Sequence, residues 1–295
     1  MAAGRRPPTP APLPDRPIPP PRRPDIRTKG FPMSQKQQIT DVLMVGATGT
    51  IGQLAVRAAE RHGLRPRALV RDIQRAAHHL PGIALVQGDL EDPASLRNAV
   101  VGADAIILTH GSGGDPRPDA REHIDYGGVR NILTALDGAR PRLALMTSIY
   151  ATRDDVPGAN PWKRRSERLL RASGLPYTIV RPGWFDHAGP TQRRLVLEQG
   201  GTADGGIASD QIAETLVRCL LTDTALSKTF ELIAAEGEEP SDQADWAGLF
   251  GALEGDGPSA TDGALDPAGL PVEAEPQRIR ADLDAIRSLR RSDGR

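Results

Sequence analysis

The sequence predicts an α/β fold with a doubly wound, mainly parallel sheet and helices on both of its faces. The first observation is that a buried strand, a glycine turn and the start of a helix follow one another within residues 42–52. The second is that short apolar runs alternate with helical patterns as far as residue 235. The third is the continuously apolar run at residues 105–109, which is typical of a strand buried on both faces of a parallel sheet.

The turn after the first strand has the spacing G-x-x-G-x-x-G and predicts a phosphate-binding loop. Gly46 ends the apolar run where the backbone must turn, and Gly49 removes a Cβ from the path of a pyrophosphate. Gly52 lets the new helix lie close to the strand. We expect Thr48 or Thr50 to cap this helix, whose free N–H groups then point at a phosphate. The alternative is an ordinary strand-to-helix turn that is rich in glycine.

The second strand is predicted at residues 67–71. It ends at Arg71, about twenty residues past the glycine turn, where a side chain would meet the adenosine ribose of a dinucleotide. A guanidinium at this position, with Arg75 one helical turn later, favours the 2′-phosphate of NADP. If Asp72 points into the site instead, the preference reverses to NAD. We therefore expect NADP, with NAD possible.

The remaining elements follow at regular intervals. Strands are predicted at residues 83–90, 105–109, 143–148, 177–180 and 229–233, and helices at residues 53–62, 119–136, 162–172 and 209–221. Asp92 and Pro93 start a further helix as its cap and its first-turn proline. Ligands bind at the carboxyl ends of parallel strands, so the loop 110–114 and Ser148 should border the site. We expect His110 to contact the backbone, with an acid or ligand role as the alternative.

Composition divides the chain into one domain and two terminal segments that lack its alternating pattern. Residues 39–235 carry the alternating pattern, and 295 residues with 38% hydrophobic content can bury one full core. Residues 1–38 form a disordered head with eleven prolines and seven basic residues before residue 33. The head is either a native tail or translated upstream sequence ahead of a start at Met33, and we favour the second. Residues 236–295 are predicted to be a loop-rich lid or tail with one helix at residues 278–290.

Several classes of protein are excluded. Cys219 is the only cysteine, so a disulfide within the chain is impossible, and we expect a buried core residue instead of a catalytic thiol. No run approaches roughly eighteen apolar residues, so we expect no membrane span and a cytoplasmic protein. The only basic run is the head, and no nucleic-acid-binding motif accompanies it, so we expect no nucleic acid. No metal site is expected, and the protein should be a monomer or a homodimer.

Five segments resemble the atypical short-chain dehydrogenase/reductases, in particular their NAD(P)-binding, NmrA-like branch. They are VGATGTIG at 45–52, LVRD at 69–72, GDL at 88–90, WKR at 162–164 and SGLPYTIVRPG at 173–183. The resemblance covers residues 39–235 and implies a Rossmann-like domain that binds NADP or NAD. The cofactor-binding residues that it implies are Gly46, Thr48, Gly49, Thr50, Ile51, Gly52, Arg71, Asp89, Leu90, Thr109, His110, Gly111, Lys163 and Pro182.

One position departs from the pattern of the classical members. They carry a tyrosine four residues before the lysine, and that phenol exchanges a proton with the substrate. Here the position is Ala159, although Ser148 and Lys163 are present as candidate catalytic residues. Tyr150 would replace the phenol if its loop folds inward, whereas the alternative is a surface aromatic. We expect Arg181, at the end of the sixth strand, to form an ion pair instead of acting as an electrophile.

Two functions from different classes follow from these residues. The first is an NADP-dependent reductase that acts on a small organic substrate, with the proton supplied by water or by an unusual side chain. The second is a non-catalytic redox sensor whose dinucleotide changes the surface that is offered to a protein partner. The missing tyrosine favours the sensor. Ser148, Lys163 and the loop at Trp184 and Phe185 favour the reductase, which is our preferred prediction.

Overall fold

An eight-stranded sheet organises the chain from residue 38 onward. The structure is a computed structural model, and it describes residue 1 and residues 38–153, 155–156 and 160–292. The strands are β1 (Asp41–Val45), β2 (Arg65–Val70), β3 (Ala84–Gln87), β4 (Ala105–Leu108), β5 (Arg142–Met146), β6 (Tyr177–Pro182), β7 (Trp184–Phe185), β8 (Arg194–Glu198), β9 (Gly206–Ile207) and β10 (Lys228–Ala235). The α-helices are α1 (Thr50–Arg61), α2 (Ile73–His79), α3 (Pro93–Val100), α4 (Gly127–Ala135), α5 (Pro161–Ser173), α6 (Ser209–Leu221), α7 (Gln243–Gly251) and α8 (Gln277–Ser292).

The strand order is β3-β2-β1-β4-β5-β6-β10-β8. All neighbours in this sheet are parallel except β10 and β8, which are antiparallel. The order reverses between β1 and β4, and such a reversal opens a crevice at the carboxyl ends of the strands. The prediction of a doubly wound, mainly parallel, Rossmann-like sheet is therefore confirmed.

Helices cover both faces of the sheet because each strand presents alternate residues to opposite sides. Val42 and Met44 of β1 belong to one hydrophobic cluster, which also contains buried residues of α1, α2, α6 and α7. Leu43 and Val45 belong to the other cluster, together with residues of α3, α4, α5 and α8. Cys219 of α6 is fully buried in the first cluster, as expected.

Several elements differ from the sequence-based prediction. The segment at residues 184–207 contains β8 and the small parallel pair of β7 and β9, none of which was predicted. The predicted helix 119–136 is a π-helical turn, Arg121–Tyr126, followed by α4. Asp92 caps α3 as predicted, since its Oδ1 accepts a hydrogen bond of 3.0 Å from the Ala94 backbone N–H.

The C-terminal segment is more ordered than the predicted lid or tail. It contains α7, which the sequence analysis missed, and α8, whose Ile279, Leu283 and Ile286 are buried in the second cluster. Between these helices the side chain of Asp256 is fully buried. Almost all of residues 1–38 lie outside the described part of the chain, so the predictions for the head and the division into three regions stay predictions.

Candidate functional site

The glycine turn after β1 leaves no room for side chains at two of its positions. Gly46 has a φ of +84°, and a Cβ there would lie 2.6 Å from the backbone nitrogen of His110. A Cβ at Gly52 would lie 2.1 Å from the carbonyl oxygen of Gly46. A Cβ at Gly49 would lie 3.3 Å from the same oxygen, which is a milder contact. Glycine is therefore required at Gly46 and Gly52 so that α1 can begin directly against the exits of β1 and β4.

Helix α1 begins at this turn without a side-chain cap from the described residues. Gly49 is the N-cap, so Thr50 is already the first helical residue and Thr48 precedes the cap. The prediction that Thr48 or Thr50 caps the helix is therefore wrong. Thr48, Gly49 and Thr50 are exposed, whereas Ile51 and Gly52 are buried. The open N–H groups of the first turn and the missing Cβ atoms fit the pyrophosphate of a dinucleotide.

At the exit of β2, the side chain of Asp72 caps the next helix, α2. Its Oδ1 accepts a hydrogen bond of 3.0 Å from the backbone N–H of Arg75 and so caps α2. The side chain of Arg71 is exposed and donates none of the hydrogen bonds found among the described residues. Its charge helps to lower the pKa of Asp115, after the larger effect of Arg117. Of the two neighbours, Arg71 is thus the one whose charged group is available to a ligand.

The exit of β3 brings Asp89 and Leu90 to the same edge, and both are half-buried. Asp89 Oδ1 accepts a hydrogen bond of 3.0 Å from the Glu91 backbone N–H. The Leu90 carbonyl accepts one of 2.7 Å from Asn131 Nδ2. Arg117 then ties the loop after β4 to this exit through two hydrogen bonds to Glu91, of 3.0 and 2.8 Å.

The exit of β4 lies against the glycine turn. The backbone N–H and the hydroxyl of Thr109 both donate to the Val45 carbonyl, at 2.9 and 3.0 Å, while Gly111 is exposed. His110 is buried, and burial together with the positive charge of Lys163 lowers its pKa to about 4. The charge of Asp125 and, after it, the backbone of Ile124 oppose this shift. Among the described residues, His110 Nδ1 has no hydrogen-bond partner. The imidazole is therefore neutral at pH 7.

A buried aspartate that the sequence analysis missed holds the next loop in place. Asp125, in the π-helical turn, accepts hydrogen bonds from the backbone and hydroxyl of Ser112, at 2.8 and 2.9 Å. It also accepts one of 2.6 Å from Asn160 Nδ2. Asn160 is the N-cap of α5, so Asp125 joins the loop after β4 to the helix that carries Lys163. The Asn160-Pro161 pair is a recognisable cap signal, whereas nothing local marks Asp125.

Ser148 and Pro182 lie beside each other at the exits of β5 and β6. The two chains remain paired beyond β5, because the backbone N–H of Thr147 donates to Val180 and that of Ile149 donates to Pro182, at 2.8 and 3.1 Å. Ser148 is half-buried and Pro182 is buried. The strand pairing therefore places one candidate catalytic residue and one candidate cofactor contact next to each other.

Lys163 lies in the first turn of α5, at the same edge of the sheet. It is half-buried, and desolvation lowers the pKa of its ammonium, while the charges of Asp125 and Glu167 oppose the shift. Glu167, one helical turn after Lys163, accepts a hydrogen bond of 2.7 Å from the hydroxyl of Thr147, which places this face of α5 at the exit of β5. Ala159, where the classical tyrosine would stand, lies outside the described residues.

Aromatic side chains border this edge. Trp184 and Phe185 are 51% and 42% exposed, and the Trp184 indole lies edge-on to Tyr150 with ring centroids 6.0 Å apart. Burial and a hydrogen bond with Asp204 raise the pKa of Tyr150. Tyr150 is thus occupied by Asp204 and Trp184 and is a weaker acid than a free phenol. This environment agrees with the surface-aromatic alternative.

Arg181 forms the ion pairs that the sequence analysis expected, but these are fully buried. Its guanidinium contacts Glu167, Glu231 and Asp266, and its side chain is 1% exposed. Arg181 therefore cannot reach a ligand at the surface, and it acts inside the protein.

The fold and the glycine cradle define the class as dinucleotide-binding α/β proteins, and comparison with known proteins gives the family. Residues 46–223 match the NAD(P)H-binding family. The chain therefore belongs to this family, and the resemblance to the atypical short-chain dehydrogenase/reductases is confirmed at the level of the superfamily.

Individual relatives show the range of this family. The chain is 32% identical over 241 residues to the chloroplastic protein TIC 62 of Oryza sativa, covering 69% of this chain and 48% of that protein. It is 28% identical over 248 residues to sanguinarine reductase of Eschscholzia californica, covering 68% of this chain and 91% of the reductase. The chain thus spans about half the length of TIC 62 but nearly all of sanguinarine reductase.

The fold is also found among solved structures. A candidate NAD-dependent epimerase/dehydratase from Bacillus halodurans superposes with a TM-score of 0.61 at 23% identity, covering 72% of this chain and all of that one. In the part of the chain that the structure describes, no helix is long and apolar enough to cross a membrane. The same residues contain no group of three or more His, Cys, Asp or Glu side chains suited to a metal ion.

Proposed function

We propose that the protein is an NADP-dependent reductase of the NmrA-like branch that acts on a small organic substrate. The observation that carries this proposal is the convergence of Ser148, Lys163 and Pro182 at one sheet edge, beside the exposed aromatic residues Trp184 and Phe185. The glycine turn after β1, with Gly46, Gly49 and Gly52, lies along the same edge and would bind the phosphates of the cofactor. Sanguinarine reductase, a relative of similar length, supports a reductase over a sensor.

NADP is proposed over NAD because of the arrangement at the exit of β2. Asp72 is occupied by the cap of α2, while Arg71 is exposed. Its guanidinium can pair with a 2′-phosphate through charge-assisted hydrogen bonds. Asp89 and Leu90 would contact the adenine, and Thr109, His110 and Gly111 the ribose on the nicotinamide side.

The chain's own residues then have distinct roles. When bound, the cofactor supplies a hydride. The Lys163 ammonium binds the nicotinamide ribose, and the Ser148 hydroxyl donates a hydrogen bond to the substrate oxygen. His110 is neutral at pH 7 and Tyr150 has a raised pKa, so neither is a good general acid. The proton therefore comes from solvent at this partly open edge.

The alternative is a non-catalytic NAD(P)-binding regulator that binds a protein partner, and the absence of a tyrosine at Ala159 favours it. One experiment distinguishes the two functions: NADPH oxidation is followed with panels of quinones, flavins, enones and aldehydes. Turnover with any acceptor that is lost in Ser148→Ala supports the reductase. Tight NADPH binding without turnover, with partner binding that changes with cofactor redox state, supports the regulator. The cytoplasmic location also stays a proposal, because the rice relative is chloroplastic.

The cofactor preference has its own test. Arg71→Ala should weaken NADPH binding by about 1.5–3 kcal/mol, because a charged hydrogen-bonding partner of the 2′-phosphate is lost. NADH binding should hardly change, since NADH has no such group. The control is Arg57→Ala, which removes an exposed arginine of α1. Calorimetric titration measures both affinities, and equal losses for the two cofactors would show that Arg71 has a structural role.

A further inference from the structure

A carboxylate from the C-terminal segment enters the core below the exit of β6. The side chain of Asp266 is 2% exposed. Its two oxygens accept hydrogen bonds from Arg181 Nη1 and Nη2, at 2.6 and 2.8 Å. Asp266 lies beyond residue 223, where the match to the NAD(P)H-binding family ends. This contact is therefore an addition to the region that the chain shares with the family.

Asp266 completes the hydrogen bonding of Arg181. A guanidinium has five N–H donors. Two of them donate to Glu167, at 3.0 and 2.7 Å, one donates to Glu231 at 2.9 Å, and the remaining two donate to Asp266. Every donor is used, so the orientation of Arg181 is fully determined. Without the Asp266 carboxylate, two N–H groups in a buried position lose their acceptors.

The same group of side chains contacts the three segments that carry Ser148, Lys163 and Pro182. We call these three residues the nicotinamide end of the site. Arg181 directly precedes Pro182. Glu167 lies one helical turn after Lys163 on α5, and its Oε1 accepts a hydrogen bond of 2.7 Å from the hydroxyl of Thr147, which directly precedes Ser148. Arg181 therefore connects β6 to α5 through Glu167, and Glu167 in turn connects α5 to β5 through Thr147.

The charges in this group make Asp266 different from a simple packing residue. Arg181 faces Glu167, Glu231 and Asp266, and Arg171 contacts Glu167 from the other side. Burial raises the pKa of Glu231, while Arg181 opposes the shift and the Asp266 charge adds to it. Loss of the Asp266 carboxylate would leave Arg181 between Glu167 of α5 and Glu231 of β10, with N–H donors that no longer have an acceptor.

We propose that Asp266 is a positioning residue that fixes the nicotinamide end of the site through Arg181, an inference that rests on the proposed cofactor function. Asp266 touches neither cofactor nor substrate. It sets the relative positions of Ser148, Lys163 and Pro182, and it leaves the phosphate cradle and Arg71 at the adenine end unaffected.

The test compares two ligands. One would contact both the nicotinamide end and the adenine end, which is formed by the exits of β1 to β3, and the other would contact only the adenine end. NADPH and adenosine 2′,5′-bisphosphate are titrated into the full chain and into Asp266→Asn. We expect the variant to bind NADPH about three- to tenfold more weakly, the loss of about one hydrogen bond at the nicotinamide ribose. Adenosine bisphosphate should bind with unchanged affinity. Asp266→Glu, which keeps the charge, should recover part of the NADPH affinity.

Asp262→Asn is the matched control. Asp262 lies in the same segment and binds Arg164 and Arg168 at 2.9 Å. Its loss also removes ion pairs, which are partly buried, but none of them involves Arg181. We expect this variant to lose thermal stability without a change in the ratio of the two affinities. If Asp266→Asn does not fold, the affinities for NADPH and adenosine bisphosphate are compared in Asp266→Glu instead. This variant keeps the charge but moves the carboxylate by the length of one methylene.

Other outcomes overturn the proposal. Equal weakening of both ligands in Asp266→Asn, or no weakening of either, would assign a purely structural role to Asp266. The same selective loss in Asp262→Asn would assign the effect to the whole segment. A native protein that binds neither ligand would instead refute the proposed cofactor function, which the titration of the unsubstituted chain reveals first.

Discussion

The two ends of the candidate site are built from different kinds of interaction. At the adenine end, formed by the exits of β1 to β3, the shape of the backbone dominates, as in the missing Cβ atoms of Gly46 and Gly52. The ion pair between Arg117 and Glu91 at this end is partly exposed, with 44% and 28% of the side chains accessible. At the other end, Arg181 and Glu167 are 1% and 0% exposed.

This difference has an energetic consequence. Exposed ion pairs contribute about 0–1 kcal/mol, because water screens them and both side chains lose freedom. Breaking a buried pair costs several times more, because the remaining charge stays without compensation in the interior. The folding stability of the adenine end should therefore be sensitive to changes of shape, and that of the nicotinamide end to changes of charge.

Glu167→Gln should produce the largest effect. Glu167 accepts hydrogen bonds from Thr147, Arg171 and Arg181, and a glutamine keeps the shape but replaces one acceptor oxygen with an amide donor. We expect a loss of about 3–5 kcal/mol in the free energy of unfolding, measured by urea denaturation. Glu91→Gln is the control and should cost less than about 1 kcal/mol. Similar small losses in both variants would remove the energetic distinction between the two ends.

His110 stands at the boundary between the two ends and makes stability depend on pH. Its folded pKa of about 4 lies below its ordinary value of 6.5. The unfolded chain therefore binds this proton first as the pH falls. The neutral imidazole therefore contributes roughly 3 kcal/mol to the free energy of unfolding above pH 6.5. This contribution is lost progressively as the pH falls to about 4.

The measurement is the free energy of unfolding of the native protein and of His110→Gln between pH 7 and pH 4. The variant should lose less stability than the native protein over this window, because it has no imidazole to protonate. His79→Gln is the control for the substitution itself, because it replaces an exposed histidine of α2. A native-like pH profile for His110→Gln would show that the buried imidazole is not its source.

The same contrast explains how much of the site could be predicted from the sequence. The glycine turn, the cap of α3 at Asp92 and the end of β2 just before Arg71 depend on local patterns, so they are visible in the chain. The mainly parallel pairing of the sheet follows from the alternation of short strands and helices, because parallel strands need crossover connections. These parts of the prediction agree with the structure.

The nicotinamide end could be predicted only in part, because its contacts are distant in sequence. Arg181 meets Asp266 across 85 positions, and Arg168 meets Glu275 across 107. In the sequence these acids appear in a stretch rich in glycine, proline and alanine, which is typical of a tail. Asp125 was missed for the same reason, since its partner Asn160 is 35 positions away. The prediction that Thr48 or Thr50 caps α1 was wrong because Gly49 itself occupies the N-cap position of this helix.

Gly52→Ala tests the dependence of the adenine end on shape. The added Cβ would lie 2.1 Å from the Gly46 carbonyl oxygen and 2.8 Å from Ala47 Cα. Both neighbours are backbone atoms, so no side-chain rotation relieves the contact and the turn itself must move. We expect a cost of about 1–3 kcal/mol in stability, together with weaker binding of adenosine 2′,5′-bisphosphate, because the amides of the turn no longer converge on a phosphate.

Gly248→Ala provides the matched control for this last experiment. Gly248 lies in α7, and a Cβ there meets nothing within 4 Å. Since alanine is favoured over glycine inside a helix by about 1 kcal/mol, this variant should be as stable as the native protein or more so, with ligand binding unchanged. If Gly52→Ala binds adenosine bisphosphate as tightly as Gly248→Ala does, the close approach of α1 to the turn does not create the phosphate site. Phosphate binding at the adenine end would then depend on the charge of Arg71 alone, and the shape of the turn would not distinguish this end from the other.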